Sequence, residues 1–151
     1  MAHDHVLATA GVARLSHVSV TVGDLDATVE WWTRIFGYQV VMRRDLSGPE
    51  FEEVAGTPGA TSRMVRGVVA PGTVLQFFAH DWREAGPVGA LLSFEVRDVR
   101  RAHAELTAAG VPCTSEPVEF DNSTAFTATD PNGIAIELIQ WAPDSEPYTP
   151  R

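Results

Sequence analysis

Apolar and polar residues alternate in two segments that read as copies of one another. The first is His17-Val18-Ser19-Val20-Thr21-Val22 and the second is Leu91-Leu92-Ser93-Phe94-Glu95-Val96. Period-2 alternation of this kind predicts half-buried strands. Each runs into an aspartate suited to cap a helix, Asp24 or Asp98. The period then changes. Leu25, Val29, Trp32 and Ile35-Phe36 form one apolar helical stripe that ends at Gly37. Val99, Ala102, Leu106 and Ala109 form the other, ending at Gly110, with Arg100, Arg101 and Glu105 outward.

The remaining segments complete the repeat. Strands are predicted at 38–43, 61–70 and 73–79 in the first copy, and at 111–116, 123–129 and 134–141 in the second. Turns fall at Pro71-Gly72 and Pro131-Asn132-Gly133. Residues 47–59 are expected to be a loop with one short turn of structure, carrying Glu52 and Glu53 as solvated residues. The result is an α+β chain of two tandem βαβββ modules, with curved antiparallel or mixed sheets, a helix on the outer face of each, and a cleft lined by the other faces. The expected boundaries are a flexible segment at 1–14, the first module at 15–80, a connector at 81–89, the second module at 90–141 and a Pro-rich tail at 142–151.

Strand parity assigns the side chains. Val18, Val20, Val22, Leu75, Phe77, Leu92, Phe94, Val96, Ile134, Ile136 and Leu138 should pack under the helices. His17, Ser19, Gln76, Phe78, Leu91, Ser93 and Glu137 then face the cleft. His17, Gln76, Leu91 and Glu137 occupy equivalent points of the repeat, and three of these four can bind a metal. Phe78 and Trp82 are expected to line the pocket as stacking surface. His80 and His103 are expected to be solvated, on the connector and on a helix surface.

Composition narrows the partners. With 11 basic and 20 acidic residues the formal net charge is −9, which argues against nucleic acid and against an anionic membrane surface. No apolar run approaches the ~20 residues needed to span a bilayer, and the N-terminus lacks a signal-peptide pattern. The single Cys113 excludes an intramolecular disulfide and fits a reducing, cytoplasmic setting. It is expected to be a structural thiol.

Three stretches carry a resemblance. Leu15-Ser16-His17-Val18-Ser19-Val20 precedes Asp24-Leu25-Asp26; Trp31-Trp32-Thr33-Arg34-Ile35-Phe36-Gly37-Tyr38 follows; Thr129-Asp130-Pro131-Asn132-Gly133-Ile134-Ala135-Ile136-Glu137-Leu138 closes. From residue 15 to 141 the chain resembles the vicinal oxygen chelate superfamily, which includes glyoxalase I, methylmalonyl-CoA epimerase, extradiol dioxygenases, and bleomycin- and fosfomycin-resistance proteins. The resemblance implies paired βαβββ modules and, in metal-using members, a divalent ion held by one residue from each of four strands. By position His17, Gln76 and Glu137 would be ligands for Mg, Mn, Fe, Co, Ni or Zn. Leu91 stands where the family usually places a fourth, and leucine cannot ligate.

Two classes of function follow. The first is a glyoxalase- or epimerase-like lyase or isomerase. It would act on a small oxygen-rich carbonyl substrate through a divalent metal and an enediolate-type intermediate, with Glu137 and His17 as the catalytic residues. Dioxygenase chemistry ranks lower, because it usually needs two histidines and a carboxylate. The second is metal-free. It is either a binding protein of the bleomycin-resistance type that sequesters an aromatic or natural-product ligand, or a biosynthetic enzyme using Glu137 as acid and base. Leu91 suits this class. The consecutive Trp31 and Trp32 cannot both face the core, and the one left over is a reason to expect a homodimer.

Overall fold

A computed structural model describes residues 16–82, 91–120 and 122–143. The segments 1–14 and 83–89 and most of the tail therefore lie outside the described residues.

The first module contains β1 (Val18–Thr21), α1 (Leu25–Phe36), β2 (Gln39–Leu46), α2 (Pro49–Ala55), β3 (Ser62–Ala70) and β4 (Thr73–His80). The second contains β5 (Leu91–Glu95), α3 (Val99–Ala108), β6 (Val118–Glu119), β7 (Ser123–Thr129) and β8 (Ala135–Trp141). Two four-stranded sheets result, ordered β1-β4-β3-β2 and β5-β8-β7-β6, and neither closes on itself. The sheets are mixed. The first strand of each module lies parallel to its last, β1 on β4 and β5 on β8, while the other pairings are antiparallel. The fold is the α+β arrangement of two βαβββ modules.

Local chemistry sets the helix limits. The Asp24 carboxylate accepts from the Ala27 N–H at 2.9 Å to open α1, and Gly37 closes it at φ 66°, a conformation that favours glycine. Asp98 caps α3 in the same way through the Arg101 N–H. The segment expected to be a loop contains α2, started by Pro49 in its first turn and stopped by Gly56. Glu52 is half-buried there and Glu53 exposed. Residues 111–116 do not form a strand. Only Cys113 bridges to Ala128, and the ladder with β7 comes later, at Val118–Glu119.

One core serves both modules. It joins Val20, Trp32, Leu75 and Phe77 to Phe126, Ile134, Ile136 and Leu138. Helix α1 packs on β3 and β4, and α3 packs on β7 and β8. Trp32, fully buried, also reaches across. Its ring lies 5.6 Å from Phe77 of the first sheet and 6.1 Å from Phe94 of the second. Its Nε1–H donates to Asp130 at 3.2 Å, and the Asn132 amide donates to Thr28 of α1 at 2.9 Å. Trp31 is half-buried against Trp32 and Phe36. Packing within the chain therefore accommodates it, and it no longer argues for a partner.

Gly67 in β3 is required by a close approach. A Cβ there would stand 2.4 Å from the Tyr38 ring. Tyr38 lies across the strand and donates its hydroxyl to the Leu75 carbonyl at 3.0 Å, while burial pushes its pKa up to about 12.

Candidate functional site

Register places the polar residues in two equivalent rows. In the first sheet Ser19 pairs with Gln76, and Gln76 pairs with Arg66 of β3. In the second Ser93 pairs with Glu137, and Glu137 pairs with Thr127 of β7. Both rows lie on the same side of the molecule. Phe77 and Phe94, next to Gln76 and Ser93 in sequence, both turn toward Trp32 beneath the helices. The alternate residues therefore point to the opposite, helix-free face.

The rows differ in chemistry. Gln76 is 4% exposed, and its amide is fixed at both ends. Its Oε1 accepts from Arg66 Nε at 2.7 Å, and its Nε2 donates to Ser19 Oγ at 3.2 Å. In the other row Ser93 donates its hydroxyl to Glu137 Oε2 at 2.7 Å. Glu137 is half-buried between the buried Ile136 and Leu138, so its carboxylate is supported by one hydroxyl and open on Oε1.

The other candidates are spread around these rows. His17 is half-buried just before β1, and its Nδ1 hydrogen-bonds the Ser16 hydroxyl at 2.9 Å. Leu91 begins β5 opposite Ala135 and is 49% exposed. Phe78, His80 and Trp82 form a run of rings at the end of β4, with centroids 5.1 and 4.9 Å apart. His80 is thus not a solvated connector residue. It ends the strand, half-buried, with Nδ1 on the Ser62 hydroxyl. His103 is likewise held, edge-on to Phe126 at 4.9 Å with Nδ1 3.5 Å from Glu116. The Cys113 thiol points to the Val111 carbonyl, and burial raises its pKa, the reverse of what a nucleophile needs.

Arg66 is the residue the strand patterns did not single out. All 11 basic residues of this chain are arginine. Arg66 is the half-buried one among those described, and the rest are exposed. The available signal was its place in Met64-Val65-Arg66-Gly67-Val68, a charge in an otherwise apolar strand with the same parity as Gln76. A distinct groove of about 490 Å³ opens near the end of β4, lined by residues including Ser62, Arg63, His80 and Asp81.

Two βαβββ modules with matched polar rows on one face define a glyoxalase-like α+β fold. Residues 14–138 match the Glyoxalase/Bleomycin resistance protein/Dioxygenase superfamily, and the chain belongs to that family. It is similar to the lactoylglutathione lyase of Arabidopsis thaliana, 29% identical over 89% of this chain and 47% of that protein. It thus spans about half the length of that plant relative. A probable lactoylglutathione lyase of Vibrio cholerae is 27% identical over 84% of this chain and 90% of its own. Among solved structures, a glyoxalase family protein from Bacillus cereus superposes with a TM-score of 0.75 at 20% identity, covering 89% of this chain and 97% of that one. The fosfomycin resistance protein FosX of Listeria monocytogenes, solved with Mn(II) and sulfate, gives 0.65 at 15% identity, over 89% and 94%.

The family implies a divalent ion, and the donor set can be tested against one. Among the described residues no three His, Cys, Asp or Glu side chains gather to hold a metal. No hydrogen bond or ion pair joins His17, Gln76 and Glu137 to one another. Leu91 offers no donor. The amide oxygen that would be Gln76's contribution already accepts from a guanidinium. A dication on that oxygen would sit about 4 Å from a positive charge, a repulsion of roughly 8 kcal/mol at an effective dielectric constant of about 20. With one carboxylate, one imidazole and an amide claimed by arginine, this arrangement does not fit a resident divalent ion.

Proposed function

We propose that this chain is a metal-independent lyase or isomerase of small carbonyl compounds, in which Glu137 moves the proton. The Glu137–Ser93 pair carries the reading. The hydroxyl fixes Oε2 at 2.7 Å and leaves Oε1 to take a proton from carbon beside a carbonyl. The C–H bond breaks, an O–H bond forms on Glu137, and the electron pair moves to the carbonyl oxygen. His17 shares the parity of Ser19, and its Nε2 is the ring nitrogen not engaged by Ser16. We assign it to hydrogen-bond that oxygen as charge develops. On a substrate with a hydroxyl on that carbon, the hydroxyl proton passes to the enolate oxygen and Glu137 delivers its proton to the former carbonyl carbon, which completes an isomerisation. On one with a leaving group at the next carbon, the carbonyl re-forms and the group departs with its bonding pair, which completes a lyase reaction. Similarity to lactoylglutathione lyases supports an enzyme.

Sequestration of an aromatic ligand is the second reading. It is favoured by the exposed Leu91 and by the Phe78–His80–Trp82 rings, with Ser19 and Ser93 as polar contacts. Proton NMR in D₂O over a panel of small carbonyl compounds separates the two. An enzyme exchanges the carbon-bound proton of its substrate, and Glu137→Gln lowers that rate at least 100-fold. A ligand whose line-broadening shows binding, with no exchange in wild type, overturns the catalytic reading in favour of sequestration.

A homodimer is also proposed. It is supported by the apolar residues left exposed on the edge strand β2, Val40 at 39% and Val41 at 62%. Sedimentation equilibrium returning the 16.4 kDa monomer mass at micromolar concentration would contradict it. No helix among the described residues is long and apolar enough to cross a membrane. The lone cysteine supports a cytoplasmic location.

A further inference from the structure

The two rows are complementary in hydrogen-bonding sense as well as in charge. In the first sheet the Gln76 oxygen accepts from Arg66, and Ser19 Oγ accepts from Gln76. The hydrogens left unengaged on that row are the Ser19 O–H, the second N–H of Gln76, and those on both terminal nitrogens of Arg66. Those nitrogens make no hydrogen bond or ion pair among the described residues. Arg43, Arg63, Arg100 and Arg101, by contrast, are each engaged with an aspartate or glutamate. By register and parity β1, β3 and β4 bring no carboxylate to the helix-free face, whereas β5 and β8 bring Glu95 and Glu137. The second row offers acceptors in place of donors, because Ser93 spends its proton on Glu137.

We infer that Ser19, Gln76 and Arg66 form an anion-binding subsite for a carboxylate on the substrate. With Nε held by Gln76, the guanidinium presents its two terminal nitrogens as a planar fork that matches the two oxygens of a carboxylate. Met64 and Phe78 pair with each other in the adjacent row and supply an apolar border for the rest of the molecule. The amide of Gln76 is a positioning group. It is buried and fixed, and it aims the fork. The inference deepens the proposed proton transfer by giving the substrate class, a carbonyl compound bearing a carboxylate. The binding itself depends only on the first row.

Titration of the protein with benzoate, methyl benzoate and inorganic phosphate, followed on the arginine ¹⁵Nε–¹H resonances, tests it. Benzoate is expected to shift the Arg66 resonance saturably and to bind at least 10-fold tighter than the ester. Arg66→Met should remove that difference. Gln76→Glu, which fills the fork with an internal carboxylate, should remove it too, while a wild-type-like circular dichroism spectrum shows each variant folded. Equal binding of benzoate and ester, or an unchanged preference in folded Arg66→Met, overturns the inference. Tighter binding of phosphate than of benzoate overturns the carboxylate assignment. Glu137→Gln separates the two proposals. It should abolish proton exchange and leave benzoate binding intact. Arg66-dependent binding without exchange in wild type would retain the subsite and reject the catalysis.

Discussion

Asp130 holds the two modules in register, and removing its carboxylate should cost more than any surface change. The side chain is 4% exposed and accepts four N–H donors. They are the Trp32 indole at 3.2 Å, the Asn132 backbone at 2.8 Å, the Asn132 amide at 3.1 Å and the Ile134 backbone at 2.8 Å. Asn132 is half-buried and can turn to water. Trp32 and Ile134 are both 0% exposed and cannot. Asp130→Ala therefore strands two buried donors at about 1–3 kcal/mol each, near 3–4 kcal/mol together. At roughly 2–4 °C per kcal/mol for a domain of this size, the melting temperature should fall by about 6–16 °C. Asp130→Asn keeps one acceptor oxygen and should lose about half as much. Urea unfolding followed by tryptophan fluorescence measures it as a lower midpoint at constant slope. A loss below about 1 kcal/mol for Asp130→Ala would refute the assignment, because water would then be satisfying the indole. The consequence for function is positional. The turn carrying Asp130 leads into β8 and Glu137, and its partner Trp32 sits on the helix that covers Gln76's strand.

Two further outcomes follow from the packing and the titrating groups. Gly67→Ala should destabilise by about 2–4 kcal/mol, the upper range for forced overpacking, because its Cβ would meet the Tyr38 ring at 2.4 Å and the Gln39 carbonyl at 2.6 Å. Thermal denaturation of that variant beside Tyr38→Phe checks it, and a neutral result would mean that Tyr38 swings away freely. The Asp81 carboxylate accepts from the Thr61 hydroxyl and backbone N–H, which hold its pKa below the usual 3.8. Since the folded value is the lower one, its stabilisation is present above pH 3.8 and is lost as the pH falls through the folded value. The gap in denaturation midpoint between wild type and Asp81→Asn should therefore close on acidification below pH 4, and a gap that widens there would contradict it.

Much of the fold was legible because local signals and periodicity agreed. Asp24 and Gly37 bracket α1 as read, and the parity of Val20, Phe77, Ile136 and Leu138 placed them in the core. What was lost depended on partners distant in sequence. Residues 111–116 look like a strand, but they meet β7 at a single bridge, Cys113 to Ala128, and the ladder resumes only at Val118–Glu119. Residues 49–55 have too short an apolar pattern to announce a helix, yet Pro49 starts one and Gly56 ends it. At the site, parity brought Ser19 to Gln76 and Ser93 to Glu137 but was read only on the first and last strands of each module. Arg66 lies on a middle strand, and only the β3–β4 register shows that it takes the Gln76 oxygen. The resemblance supplied the ligand positions; whether their lone pairs are available is a matter of neighbouring side chains, which no strand pattern encodes.

As proposed, the cleft works with Arg66 and the Glu137 carboxylate where a metal would otherwise sit. Calorimetric titration of chelator-treated protein with Mn²⁺, Ni²⁺ and Zn²⁺, in wild type and Glu137→Ala, tests it most directly. No binding tighter than about 100 µM that is lost with Glu137→Ala is expected, since the amide oxygen is engaged and one carboxylate is too few. One equivalent of any of these ions held at micromolar affinity or better by wild type, and released by Glu137→Ala, would contradict it.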